Sequence, residues 1–277
     1  MGTQTETETR LVRTLLGLAA ESQGATTISD ERLGTALGFL LTDKATALRQ
    51  ILPPIVRTLD ERDLLRGLDP TLRDALITEL SAATWRDMLQ ERAIKRMTAR
   101  AAACEIPVIL LKGASFRGTL YDANAPRVGV DVDLLVRPQD RDRFEDELRA
   151  LGARRYIRFP DHLATAETLF ERVYTLSFTG DIGITIELHD ALTKPHAFMI
   201  DQDSLWRRSL PFEPLGSEQV RRLSAEDTLV HLAIHAHRHG TIPAHALVDA
   251  ARLLERWAWD LDALLGIARA WGATTVL

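Results

Sequence analysis

Asp131 and Asp133 stand two residues apart inside an otherwise apolar run, VDVDLLVR (130–137). In an extended strand, residues i and i+2 face the same way, so both carboxylates leave one face while Val132, Leu134 and Val136 leave the other. Two like charges held together on a strand are costly unless a cation sits between them. Carboxylate oxygens are hard ligands that suit Mg²⁺, which binds one or two protein carboxylates and completes its shell with water and substrate phosphates. A lone D-x-D also fits an edge strand whose acids face water, so its meaning depends on the residues around it.

Three features bear on it. LKGAS (111–115) follows an apolar strand and leads into FRGTLY, which reads as a short helix. A strand-to-helix turn of this kind offers backbone N–H groups to a phosphate, with Gly113 permitting close approach and Ser115 supplying a hydroxyl. Lys112 lies in the same turn, and it is one of only four lysines against 30 arginines, which singles it out as a point-charge phosphate ligand. Glu187 lies in the alternating strand GITIELH (183–189), with Thr185 and His189 on its own side. If that strand neighbours the Asp131 strand, Glu187 completes a three-carboxylate cluster. Such a cluster is what phosphoryl or nucleotidyl transfer needs to hold two metal ions about 3.5–4 Å apart.

The hydrophobic period divides the chain. Over residues 1–104 apolar residues recur every three or four positions, which predicts a helical region with segments at 6–20, 30–40 and 43–60, the last broken by Pro53-Pro54. Asp69-Pro70 is an N-cap followed by proline at the first helical position, and it opens a helix expected to reach Ala103. Residues 105–200 change to short strands, PVILLKG (107–113), VDVDLLVR and GITIELH, with PQDRDRFEDELRALG (138–152) as a helix ended by Gly152. Residues 201–277 read as helical again, over 225–239, 245–259 and 261–271, with the closing ATTVL (273–277) left as a candidate strand. The expected fold is α/β (α+β): a small mixed sheet flanked by N- and C-terminal helical regions.

The order LKGAS, RVGVDVDLLV, a helix, I-E-L-H, a histidine-bearing helix (LVHLAIHAHRH) and LVDAARLL resembles the uncharacterised nucleotidyltransferase family of the polymerase-β-like superfamily. The resemblance covers roughly residues 90–260. It implies a nucleotidyltransferase using two Mg²⁺ ions, with Mn²⁺ as a substitute, and an NTP as substrate. By that resemblance Asp131, Asp133 and Glu187 are the catalytic and metal-binding carboxylates, Gly113 and Ser115 hold the triphosphate with Lys112 beside them, and Arg127 contacts the triphosphate or the acceptor. The acceptor is unspecified: a small molecule, or a peptide or protein. Ala114 between Gly113 and Ser115, Val130 before the first aspartate, and Asp190 after I-E-L-H depart from the family pattern without removing a ligand.

Other readings stay open. His231, His235 and His239 are four apart on one helix and could hold zinc, or His235 could line the site as His189 could. His189-Asp190, with His162 and Asp249, offers an HD-type metal phosphohydrolase that leaves Asp131 and Asp133 unexplained. A catalytically silent module that binds nucleotide or docks a partner is the remaining alternative. The formal charge of -5 argues against a general nucleic-acid coat, and the 10 basic and 9 acidic residues of 101–160 leave the candidate catalytic stretch balanced. The single cysteine, Cys104, excludes an internal disulfide, and the chain has neither a signal-like N-terminus nor a long apolar run, so a cytoplasmic protein with no membrane partner is the simplest expectation.

Overall fold

A computed structural model describes residues 15–19, 30–42, 48–121, 127, 129, 131–156, 171–179, 182–194, 197–238 and 243–277. Residues 15–19 are helical. Then follow α1 (Asp30–Leu40), α2 (Leu52–Glu61) and the long α3 (Pro70–Ala103). The sequence expectation for α3 holds to the residue, because the Asp69 carboxylate accepts from the backbone N–H groups of Thr71 and Leu72 and fixes the start. Pro53 and Pro54 do not break a helix. They fall in the first turn of α2, where a missing N–H costs nothing, so the helix begins there.

The remaining elements are β1 (Val108–Leu110), α4 (Lys112–Phe116), β2 (Asp131–Val136), α5 (Arg141–Ala150), β3 (Ala153–Tyr156), β4 (Glu171–Thr179) and β5 (Ile182–His189). After them come α6 (Gln202–Arg208), β6 (Leu210–Phe212), β7 (Ser217–Arg222), α7 (Ala225–Arg238), α8 (Ala244–Arg256) and α9 (Leu261–Trp271). The C-terminal stretch is therefore not all helical. Leu210–Phe212 and Ser217–Arg222 pair as a hairpin, closed by Gly216 in the left-handed conformation (φ +60°) that a side chain would disfavour. Residues 273–277 form turns rather than a strand.

The chain falls into two compact units, each discontinuous in sequence. One takes the described residues up to Asp87, then 120–121, Arg127 and 243–256. Its core joins Leu37, Leu40, Leu52, Ile55 and Leu59 of α1 and α2 with Leu76 of α3 and Val248 of α8. Two buried charges are bound inside it. Asp249 accepts from Tyr121 Oη (2.7 Å) and from Arg127 Nη2 (2.6 Å), and Arg252 donates from Nη2 to the Ala19 carbonyl (2.8 Å) with its guanidinium 4.3 Å from the Tyr121 ring centroid.

The other unit takes Met88–Thr119, Gly129–Arg238 and Trp257–Leu277. It carries a seven-stranded mixed sheet in the order β3-β4-β5-β2-β1-β7-β6. β5/β2 and β1/β7 are parallel, and the other neighbours are antiparallel. Val132, Leu134, Ile184, Ile186, Tyr174 and Leu176 lie on one face and pack with Ala93 and Met97 of α3 and with Phe144 and Leu148 of α5. Alternation then sends Asp131, Asp133, Thr185 and Glu187 to the opposite face. The apolar half of each strand thus fixes where the acids point: shifting the register by one residue would bury the carboxylates in this core.

Candidate active site

The parallel pairing of β2 with β5 sets Asp131 against Thr185, Asp133 against Glu187, and Leu135 against His189. Antiparallel β4 extends the rows, setting Glu171 against His189 and Val173 against Glu187. Four carboxylates and a histidine therefore share one face over three adjacent strands. Ligand atoms of Asp133, Glu187 and His189 lie within 4.8 Å of one another, the one such metal-capable group among the described residues.

Lys112 closes the cluster from β1. Its Nζ donates to Asp133 Oδ1 at 2.8 Å, and the same oxygen lies 3.1 Å from His189 Nε2. His189 Nε2 is also 3.7 Å from Glu187 Oε2, and its Nδ1 is 3.8 Å from Glu171 Oε2. The backbone prepares this approach. Leu111 N–H donates to the Asp133 carbonyl, and Lys112 takes φ +45°, a left-handed conformation that costs a non-glycine residue on the order of 1–3 kcal/mol. Strain of that size persists where neighbouring contacts hold it, and here the ion pair to Asp133 does so.

The electrostatics are those of an acidic site short of cations. Burial alone would raise the Asp133 carboxyl, but the Lys112 ammonium and the His189 hydrogen bond hold it well below the usual carboxylate range. For Glu187 the balance runs the other way. Burial, then the charges of Asp133, Asp131 and Glu171, push it up to about 8. Burial pulls Lys112 down, yet Asp133, Glu187 and Asp131 together leave it above its ordinary value. His231, buried on α7, is held well below the normal imidazole value by burial, then by Lys112 and by its row-mate His235.

Asp131, Asp133, Glu187, His189 and Lys112 are thus brought together. Gly113 and Ser115 lie in the helix that begins at Lys112, not in a turn ahead of FRGTLY. α4 starts one turn earlier than the sequence suggests and ends before Gly118, whose φ is +68°. Ser115 is buried, and its hydroxyl donates to the Lys112 carbonyl (2.8 Å). Arg127 belongs to the other unit and is held there by Asp249. His235 is half-buried on α7, and His239 and His162 lie outside the described residues. Of the acids in the HD reading, Asp190 pairs with Arg141 Nη1 at 2.5 Å, and Asp249 accepts from Arg127 and Tyr121. Glu171 is the residue that sequence reasoning missed. The alternation E-R-V-Y-T-L-S-F-T (171–179), with Tyr174 and Leu176 buried and Glu171, Val173 and Thr175 half-buried, is the signal that marks it.

The model of a family described as uncharacterised nucleotidyltransferase matches residues 43–277. The chain belongs to that family. It is a transferase of nucleotidyl groups, and the mixed α/β fold is the scaffold that presents its acidic face. No curated protein matches the sequence of this nucleotidyltransferase. Among solved structures it is similar to the solution structure of the antibiotic-resistance factor ANT(2'')-Ia, at 17% identity over 66% of this chain and 93% of that one, with a TM-score of 0.45. It is also similar to the crystal structure of ANT(2'')-Ia in complex with adenylyl-2''-tobramycin, at 17% identity over 61% and 99% of the two chains, with a TM-score of 0.39. Among the described residues of the nucleotidyltransferase, no helix is long and apolar enough to cross a membrane.

Proposed function

We propose that this nucleotidyltransferase moves an NMP group from an NTP to a hydroxyl or phosphate acceptor in a divalent-metal-dependent reaction. The observation that carries the reading is the register of β2 on β5, which sets Asp133 beside Glu187 with Asp131 on the same face. The donor set fits Mg²⁺ or Mn²⁺: hard carboxylate oxygens, buried and crowded closely enough that Glu187 retains a proton to about pH 8. Asp131, Asp133 and Glu187 would hold the ions. Bound there, the metal supplies charge that lowers the pKa of the attacking oxygen and neutralises the leaving pyrophosphate.

The chain's own groups do the rest. Lys112, at the β1 side of the carboxylates, is placed to meet the anionic phosphates once its hold on Asp133 is relieved. The Gly113 backbone, with no side chain, lets the triphosphate approach α4 closely. Glu187, on the same face as Asp131 and Asp133, would take the proton of the attacking hydroxyl. The acceptor oxygen bonds to the α-phosphorus, the bond to the β-phosphate breaks, and pyrophosphate leaves with the electron pair.

Incubating the full chain with each labelled NTP and Mg²⁺, and following pyrophosphate release with mass spectrometry of candidate acceptors and of the protein, tests the reading. Asp131→Asn and Asp133→Asn are expected to abolish turnover. Turnover that survives both substitutions sinks the proposal, and nucleotide binding without turnover in the wild type favours the silent module.

A further inference from the structure

The strand order also bears on the side from which a second substrate would arrive. β1 and the Lys112 turn lie on one side of the carboxylate strands β2 and β5, and β4 and β3 lie on the other. Phosphoryl transfer sets the attacking and leaving oxygens roughly in line through phosphorus. With the leaving pyrophosphate drawn toward Lys112, the attacking oxygen has to come from over β4 and β3.

Among the described residues that strip is partly open. The row Asp131–Thr185 continues through Thr175 to Arg154, and the row Asp133–Glu187 continues through Val173 to Tyr156. Directly paired residues share a face, so all of these side chains rise on the side of the carboxylates. The intervening Tyr174 and Leu176 are buried on the opposite face, whereas Val173 and Thr175 are half-buried and Tyr156 is 61% exposed. Gly183 keeps the strip flat: a Cβ there would come 2.7 Å from Thr175 Cγ2, so the threonine leans over a position that carries no side chain.

We propose that this strip binds the acceptor, and that the acceptor is a polyhydroxylated ring of sugar size, an inference that rests on the nucleotidyl-transfer reading above. The exposed Tyr156 ring offers an apolar platform to the C–H face of such a ring. Thr175 and Thr185 hydroxyls and the Glu171 carboxylate offer donors and acceptors for its hydroxyl groups. From Glu187 to Tyr156 is two strand spacings, about 10 Å, the reach of one or two sugar rings. A nucleic-acid acceptor fits less well. Of the adjacent pair Arg154 and Arg155, only Arg154 faces this strip, because Arg155 pairs with Tyr174 on the other side. One ring hydroxyl oxygen would bond to the α-phosphorus as the bond to the β-phosphate breaks, its proton passing to Glu187 and the electron pair leaving with pyrophosphate.

The test uses the full chain with Mg²⁺, each of the four NTPs, and three forms of one ring as probes: glucose, glucosamine and glucose 6-phosphate, which are neutral, cationic and anionic. Mass spectrometry reads the NMP-sugar adduct, and a non-hydrolysable NTP analogue with Mn²⁺ reads nucleotide binding separately. The wild type is expected to form an adduct with at least one of the three. Thr175→Arg, which fills the strip, and Tyr156→Ala, at an exposed edge where folding is not at stake, are each expected to slow adduct formation by about tenfold or more while the analogue's Kd moves less than about twofold. Equal rates in wild type and variants overturn the proposal. So does a wild type that binds the analogue and releases pyrophosphate from NTP but modifies none of the three sugars. A wild type that does not bind the analogue fails at the earlier reading and takes this one down with it.

Discussion

Removing the titratable proton of Glu187 is expected to change how the metal-free protein responds to pH. The folded protein holds this carboxyl at about 8 rather than 4.5, mainly through burial and then through the charges of Asp133, Asp131 and Glu171. Between those two values the unfolded chain has released the proton and the folded chain has kept it. The unfolded state then binds fewer protons, so stability falls as pH rises, by about 1.4 kcal/mol per pH unit. From pH 5.5 to 7.5 the loss is on the order of 3 kcal/mol, or roughly 5 °C in Tm for a chain of this size. Glu187→Gln keeps the shape and cannot lose a proton, so it escapes the loss. Urea denaturation of wild type and E187Q in EDTA, at several pH values in that window, measures the difference between the two curves, in which contributions of other groups cancel. The depressed Asp133 acts in another range: its stabilisation is present above its unfolded value, near 3.8, and is lost only as pH falls through it. Parallel curves for wild type and E187Q would refute the crowded-carboxylate argument. Saturating Mn²⁺, at about 100 times its Kd, is expected to return about 2.7 kcal/mol to the wild type and less to E187Q.

Lys112 occupies the position a metal ion would compete for, so Lys112→Met is expected to bind Mn²⁺ more tightly than wild type in the absence of nucleotide and the NTP analogue more weakly; calorimetric titration of each ligand separates the two effects. Asp249→Asn removes the buried carboxylate that pairs with Arg127 and Tyr121 and is expected to cost on the order of 3–5 kcal/mol in denaturant unfolding, with Mn²⁺ affinity unchanged. Met97→Ala opens a cavity between α3 and the sheet, for an expected loss of about 2–5 kcal/mol in the same assay. Glu171→Gln removes one of the charges that raise Glu187, so the fall in stability of the metal-free protein is expected to begin at the same pH and to level off at a lower pH than in wild type.

The parts of the site that were legible in the sequence are those whose chemistry conflicts with their setting. Two acids in an apolar strand, a lysine in an arginine-rich chain and an acid in an alternating strand each stand out locally, and the register of β2 on β5 assembles them. Glu171 was hidden because its strand carries Arg172 among the buried positions' neighbours, and because its partner His189 is reached only through the pairing of β4 with β5. β6 and β7 were hidden for a different reason. L-P-F and S-E-Q-V-R-R are short, one holds proline and the other is mostly polar, so neither shows the period of a strand until β1 supplies the neighbour for β7. The pairing of Arg127 with Asp249, 122 residues away, was hidden too, because no local pattern announces a partner at that separation.

The buried Arg252 has a consequence for how this chain comes into being. Its guanidinium grips the carbonyl of Ala19 across 233 residues of sequence, and Val248 completes the same core as Leu37 and Leu52. During synthesis, α1, α2 and the start of α3 can pack together early, but the part of their core that meets α8 waits for a helix made much later, an interval in which aggregation or chaperone capture competes with folding. Neither unit can be excised as a contiguous piece, so a deletion that removes α8 takes Val248 and Arg252 out of a core built mainly from the first third of the chain.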